Sequence, residues 1–224
     1  MDRDSYVPAL RFRSLTSLYD PAIRWTTREA EFKRRLLTQA TLRPGQQVLD
    51  IGCGTGTLLL AAKEREPQVE AVGLDGDSQM LEQAREKIAR TGVAVRLDEG
   101  LSFEMPYEDR CFDRVLSTLF FHHLTTADKR RTFEEITRVL KPGGELHVAD
   151  WGPGTDTLMR TLFWSVRLLD GLEQTRANAA GTLPGLMEAA GLAGASERDR
   201  MRTPFGAMVV YRAARPASAA VPDG

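Results

Sequence analysis

Two acids and a run of glycines are the residues of this 224-residue chain whose types and spacing point most directly to chemistry. Val48-Leu49-Asp50-Ile51-Gly52-Cys53-Gly54-Thr55-Gly56 is an apolar strand that runs into three closely spaced glycines and then into helix-forming residues. Glycines at such a turn tolerate positive φ and let the backbone approach a ligand, while the helix that follows offers free N–H groups and the positive end of its dipole. An anionic group is expected there. A dinucleotide fingerprint would read G-x-G-x-x-G, but here the third glycine comes one residue early and the strand ends in an acid. A carboxylate at Asp50 repels pyrophosphate. It suits a ligand with a protonated amine beside a carboxylate, as in the methionine end of S-adenosylmethionine (SAM), the ammonium meeting Asp50 and the ligand carboxylate facing the loop N–H groups. Asp75 ends the next expected strand about 20 residues further on, where a carboxylate can accept both ribose hydroxyls of SAM or of NAD. A tight turn and a helix cap would explain the same residues one at a time, since Asp77 and Ser78 also follow. Loop, acids and strand-to-helix context together favour the cofactor.

Methyl transfer from a sulfonium is an in-line displacement, so a protein must align the acceptor and, for oxygen or carbon acceptors, can also remove a proton. The side chains placed for that task are His122 and His123, just beyond the fourth expected strand, with Asp150 and Trp151 at the end of the fifth. All four lie at the carboxyl edge of a parallel sheet, where such folds place their sites. Neutral imidazole has a suitable pKa for accepting a proton. The competing expectation is structural: one histidine of the pair capping a turn and the other packing, Asp150 capping a loop, and Trp151 in the core. His147, in mid-strand, is expected to be core or surface.

The elements that must position these groups alternate along the chain. Strands are expected at 47–51, 69–74, 93–97, 112–118 and 145–151, with helices at 58–65, 79–91 and 126–140 between them, a βαβ pattern that implies a parallel sheet. Gly92 and Lys141-Pro142-Gly143-Gly144 act as the stop signals after helices. Residues 158–169 are apolar nearly all round, which suggests a helix buried on two sides and roofing a pocket. A short helix at 183–190 and two strands, 198–202 and 207–212, joined at Thr203-Pro204-Phe205-Gly206, complete the chain. The expected fold is therefore α/β, Rossmann-like and doubly wound. Its mostly parallel seven-stranded sheet has an antiparallel C-terminal hairpin and an N-terminal helical cap. Residues 1–45 form that cap around a helix at 27–40, residues 46–213 the core, and 214–224 a disordered tail.

With those residues in place, the chain resembles the class I SAM-dependent methyltransferases, in particular the ubiquinone/menaquinone C-methyltransferase-like group. The resemblance covers roughly residues 15–153. It rests on the D-I-G-C-G-T-G loop, on Met105-Pro106-Tyr107-Glu108-Asp109 with Phe112-Asp113-Arg114-Val115-Leu116-Ser117, on Phe121-His122-His123-Leu124, and on Arg138-Val139-Leu140-Lys141-Pro142-Gly143-Gly144. It implies that Gly52, Cys53, Gly54, Thr55 and Gly56 line the methionine end of SAM, that Asp75 holds the ribose, that Gly76 and Met80 border the adenine, and that Thr118 lies near the methionine moiety. Tyr19, within Tyr19-Asp20, matches a tyrosine that closes over the cofactor. One departure stands out: five residues before the proline, such enzymes place an aspartate that binds the adenine amino group, and this chain has Leu101. Backbone groups of Leu101 and Ser102, or the Ser102 hydroxyl, are the expected substitutes, with Met80 and Phe103 giving apolar contact.

Composition narrows the partners. Thirty basic and 31 acidic residues leave a net charge of -1, so no global field drives the chain to nucleic acid or anionic membrane. Two cysteines, one of them inside the glycine loop, support neither a disulfide framework nor a zinc site, and no metal is assigned. No apolar run approaches the ~18 residues that span a bilayer, and the N-terminus lacks an apolar signal core, so a cytoplasmic protein is expected. An Asn/Asp-Pro-Pro-Tyr/Phe element for planar amines is absent after the fourth strand, as are the several cysteines an arsenite enzyme needs. The expected activity is methylation of oxygen or carbon on a small hydrophobic or aromatic metabolite. The alternative is a non-catalytic SAM-binding scaffold.

Overall fold

A computed structural model describes residues 28–217. Seven strands form one sheet among these residues: β1 (Gln47–Ile51), β2 (Glu70–Asp75), β3 (Arg96–Glu99), β4 (Phe112–Thr118), β5 (Leu140–Gly152), β6 (Ala193–Thr203) and β7 (Gly206–Ala214). Their order is β3-β2-β1-β4-β5-β7-β6. The first five run parallel, and β7 enters antiparallel between β5 and β6. The chain winds outward from β1 to β3 and then crosses back to β4, so the reversal of strand order falls between β1 and β4. That crevice is where open α/β sheets bind ligands.

Strand β1 is central and buried on both faces, and it reads as a continuous apolar run broken only by Asp50. The helices α1 (Glu29–Ala40), α2 (Thr57–Arg65), α3 (Ser78–Ala89), α4 (Thr126–Val139), α5 (Thr157–Asp170), α6 (Arg176–Ala180) and α7 (Leu183–Ala189) cover the two faces. On one face Phe133, Ile136 and Val139 of α4 pack with Leu183 and Met187 of α7. On the other, Phe32 and Leu36 of α1 pack with Leu58 and Leu59 of α2 and Phe163 and Val166 of α5. Three of the helix starts carry a side-chain cap. Asp77 accepts from the N–H groups of Gln79 and Met80 at α3, Thr125 from Asp128 at α4, and Asp156 from Met159 at α5.

Several boundaries differ from those read in the sequence. Strand β3 begins at Arg96 rather than Val93: its ladder with β2 runs from the Val72–Arg96 pair to the Asp75–Glu99 pair. The Lys-Pro-Gly-Gly segment opens β5 rather than only ending α4, with Phe112 paired to Leu140 and a shift in register before Arg114 pairs with Glu145. Helix α5 is not buried on two sides: Met159, Phe163 and Val166 face inward, while Leu168 and Leu169 are 74% and 69% exposed.

Helix α1 is built into the sheet. Gln39 donates to His147 Nδ1 at 3.0 Å and to the Tyr211 carbonyl, and Arg114 donates to the carbonyl of Ala40. His147, also 3.0 Å from Glu145, is a buried structural residue. No described helix is long and apolar enough to cross a membrane.

Arg215, expected to begin a disordered tail, is anchored instead. Its backbone N–H donates to Gly144 O at 2.9 Å, and its guanidinium donates to the carbonyls of Thr137, Arg138 and Leu140 at the end of α4. These are carbonyls a helix C-terminus leaves without partners, and a cation there also suits the dipole. Arg215→Ala should therefore lower the free energy of unfolding by about 1.5–3 kcal/mol, the range for hydrogen bonds made by a charged group. Urea denaturation followed by circular dichroism measures it, and a change within error would show that the cap contributes nothing.

Candidate cofactor and acceptor site

Three glycines make the turn after β1 possible. Gly52, Gly54 and Gly56 have φ of 66°, 51° and 73°, a region costly for any residue with a Cβ. Gly52 has a second reason. A Cβ there would lie 2.2 Å from the Phe120 ring, which packs directly against the loop from the end of β4.

The loop N–H groups are not aimed outward as expected from the sequence. Gly52 and Cys53 both donate to Leu74 O, at 2.8 and 3.1 Å, and Gly56 donates to Cys53 O. Gly54 donates to Asp75 Oδ2 at 2.7 Å. The turn is thus bound to the end of β2, leaving the first turn of α2 as its donor end. Thr55 is held from the side: Lys87 on α3 donates to the hydroxyls of Thr55 and Thr57. Cys53 turns inward among buried residues, and burial pushes its thiol up, so its chemistry is that of a core residue.

Asp50 is buried at the end of β1, and its Oδ1 has no hydrogen-bond partner among the described residues. Burial pushes its carboxyl up to about 8, with Lys33 on α1 pulling the other way. An acid in this state lacks a cationic partner. The ammonium of a methionine moiety would supply one, so the residues present fit SAM at that end. Asp75 also sits high, raised by burial, although the N–H groups of Asp77 and Gly54 favour its charged form. Because Asp77 caps α3, Asp75 is spared that duty and stays at the cleft.

A cleft opens beside these groups, lined by Gly52, Leu74, Asp75 and Gly76 and by Leu101, Ser102, Phe103 and Phe120. Gly100, missed in the sequence, ties the far wall to β2 by donating from its N–H to Asp75 O at 3.0 Å. The Ser102 hydroxyl is engaged with Thr132 at 2.9 Å, and the Leu101 carbonyl accepts from the N–H of Glu104, so backbone N–H groups are the simpler route to an adenine ring. Met80 is half-buried at the start of α3, and Thr118 at the end of β4. Tyr19 lies outside the described residues.

The acceptor-edge residues come together around Asp150. His122 Nδ1 lies 2.7 Å from Asp150 Oδ1, and the His122 backbone N–H donates to Oδ2. Burial pulls the His122 imidazole down, but Asp150 and then Asp170 outweigh it and raise it. His123 is half-buried and driven well down by burial, by His122 and by Lys129, so it is neutral near pH 7. Asp170, the last residue of α5, had no signal in the sequence beyond being an acid at the end of an apolar helix. It lies 3.6 Å from His122 Nε2 and 3.8 Å from His123 Nδ1. Lys129 is buried alongside and donates to the carbonyls of Leu124 and Gln174, with burial lowering it to about 8. Trp151, expected at the acceptor, is a core residue. Its ring packs 6.0 Å from Phe163, and its carbonyl accepts from Asn178.

Residues 48–144 match the protein family described as "Methyltransferase domain". This span forms a class I methyltransferase domain. SAM is the cofactor of that class. The chain is 36% identical over 132 residues to a demethylmenaquinone methyltransferase of Deinococcus radiodurans, covering 59% of this chain and 54% of the relative. It is 37% identical over 125 residues to the demethylmenaquinone methyltransferase of Thermus thermophilus, covering 56% of each. The matched part thus spans about half the length of these curated relatives. Among solved structures, the S-adenosylmethionine-dependent methyltransferase SibL has the same fold, with a TM-score of 0.70 at 20% identity over 92% of this chain and 60% of that one.

The buried acid makes stability depend on pH in a defined direction. A folded-state value near 8, well above the ~4 of an unfolded aspartate, means that the fold favours protonated Asp50. Its contribution is complete below about pH 4 and is lost as the pH rises through about 8. Without ligand, Asp50→Asn should therefore gain stability relative to wild type between those values. Thermal unfolding of both proteins across that range tests it, and parallel curves would mean that Asp50 is ionised and partnered in the fold.

Proposed function

We propose that the chain is a cytoplasmic SAM-dependent methyltransferase that transfers a methyl group to oxygen or carbon of a small hydrophobic or aromatic acceptor. The observation that carries this reading is the buried Asp50 carboxyl at the foot of the glycine loop, whose Oδ1 has no partner among the described residues, next to a cleft lined by Gly52 and Asp75. Bound SAM supplies an electrophilic methyl on a sulfonium. Asp50 takes the ammonium, the donor end of α2 faces the carboxylate, and Asp75 accepts the ribose hydroxyls. Leu101, Ser102 and Phe103 wall the adenine, with Met80 and Gly76 at its border. Phe120 and Leu124 shut water out between cofactor and acceptor edge, and so raise the strength of every polar contact there. His122, fixed by Asp150, and His123 face the acceptor with Asp170, providing neutral nitrogen and carboxylate oxygen for a hydroxyl or an activated C–H.

The relatives named demethylmenaquinone methyltransferase support a quinone-like ring as acceptor, although half of their length has no counterpart in the match. An uncharged, partly aromatic acceptor also agrees with the balanced charge of the chain.

Calorimetry of SAM and S-adenosylhomocysteine with the purified protein is the first test. Asp50→Ala and Asp75→Ala should each weaken binding at least ~10-fold, since each removes a charge-assisted contact worth about 1.5 kcal/mol or more. Undetectable binding by wild type would overturn the reading. Labelled methyl transfer to a panel of hydroxylated quinones and phenols then separates an enzyme from a scaffold, which would bind without turnover.

A further inference from the structure

The His122–His123–Asp170 group is set apart by distances that are neither hydrogen bonds nor gaps. Asp170 approaches His122 Nε2 to 3.6 Å and His123 Nδ1 to 3.8 Å, both beyond hydrogen-bonding range. One donor atom from each of the three residues lies within 4.8 Å of the other two. Ligands held tetrahedrally at about 2.1 Å from a cation are themselves separated by about 3.4 Å. We propose that His122, His123 and Asp170 form a binding site for a divalent transition cation of the zinc, iron or manganese kind, with coordination positions left open at the acceptor edge.

Four further observations support it. Asp150 already engages His122 Nδ1 at 2.7 Å, leaving Nε2 to face Asp170, and this carboxylate–histidine arrangement orients imidazole ligands in metal sites. The carboxylate of Asp170 stands at the carboxyl end of α5, where the helix dipole disfavours an anion and favours a cation. His123 and Asp170 keep 27% and 18% side-chain exposure, so an ion can enter. The donor set itself, two imidazoles and one carboxylate with the remaining positions unfilled, is one that binds such ions and lets them hold a substrate oxygen. Lys129 opposes the ion with its own charge, but Asp150 and Asp170 together exceed it. Without an ion, a proton on His122 between the two carboxylates would serve the same balance, and that is the competing state.

Such an ion would grip an acceptor that presents adjacent oxygens, such as a hydroxyl beside a carbonyl. This use rests on the proposed function, whereas ion binding does not, so the test omits SAM and acceptor. Protein treated with chelator is titrated anaerobically with Co²⁺ and with Zn²⁺, using equilibrium dialysis and visible spectroscopy. One ion per chain is expected, with the intense d–d bands of a four- or five-coordinate cobalt site and a rise in melting temperature. Asp170→Asn and His123→Ala should each weaken binding at least ~10-fold. Asp150→Asn should weaken it 10–100-fold, as changes behind a ligand do. Asp170→Asn alters a partly exposed carboxylate by one atom, and circular dichroism of the ion-free variant checks that it folds. No stoichiometric binding, a spectrum like that of cobalt in water, or equal binding by wild type and Asp170→Asn would overturn the site and leave the proton on His122 as the balancing charge.

Discussion

A carboxylate buried at the end of the central strand is the constraint around which the cofactor end is organised. Ionised carboxylates are among the costliest groups to take out of water, and a fold that keeps one inside either protonates it or pairs it with a cation. Asp50 has an unpartnered oxygen, so the ligand-free protein relies on the proton. A ligand with a fixed positive charge at that point would exchange proton for ammonium and bring the acid into its ionised form. The same charge is unfavourable to a pyrophosphate. Under the proposed binding of SAM, selection between cofactors would rest on this one side chain, and the glycines beside it suit any ligand that needs close backbone approach.

The loop is bound more tightly to β2 than a glycine-rich segment would need for its own sake. Leu74 O accepts two N–H groups and Asp75 a third, while the N–H of Gly100 returns to Asp75 O. Asp75 therefore fixes the glycine loop through its carboxylate, and the far wall of the cleft is tied to the same residue. Phe120 reaches back over Gly52 from β4 and completes the cradle. Pre-ordering of this kind lowers the conformational cost of binding, because the groups that meet the ligand are held before it arrives.

What the sequence revealed followed the physical origin of each feature. Alternating apolar runs and stop signals marked the strands and helices, because periodicity and turn chemistry are local. The placement of Asp50 and Asp75 at the ends of β1 and β2 was legible because chain order sets it. Hydrogen-bond partners were not legible. That Ser102 is taken by Thr132, that the loop N–H groups turn to Leu74, and that Arg215 caps α4 all depend on residues more than 20 positions apart meeting in space. Helix α5 misled for a related reason. Its apolar residues exceed what one face can bury, and composition alone does not say which of them remain outside. Trp151 lies at the expected sheet edge, but its ring turns into the core toward Phe163.

The acceptor edge repeats the electrostatic theme of the cofactor end with a different outcome. Asp150 and Asp170 place two carboxylates near His122, and Lys129 answers only one of them. Where Asp50 holds a proton for want of a partner, the cluster at His122 draws a proton onto the imidazole that lies between its acids. His123, with no carboxylate at hydrogen-bonding distance, stays neutral beside it. The two imidazoles at this edge are shifted in opposite directions, His122 up and His123 down, and Asp150 contributes most to the upward shift. An arriving cation would displace the proton and make the two rings equivalent, so what occupies this position decides whether the edge presents a base or a Lewis acid to the acceptor.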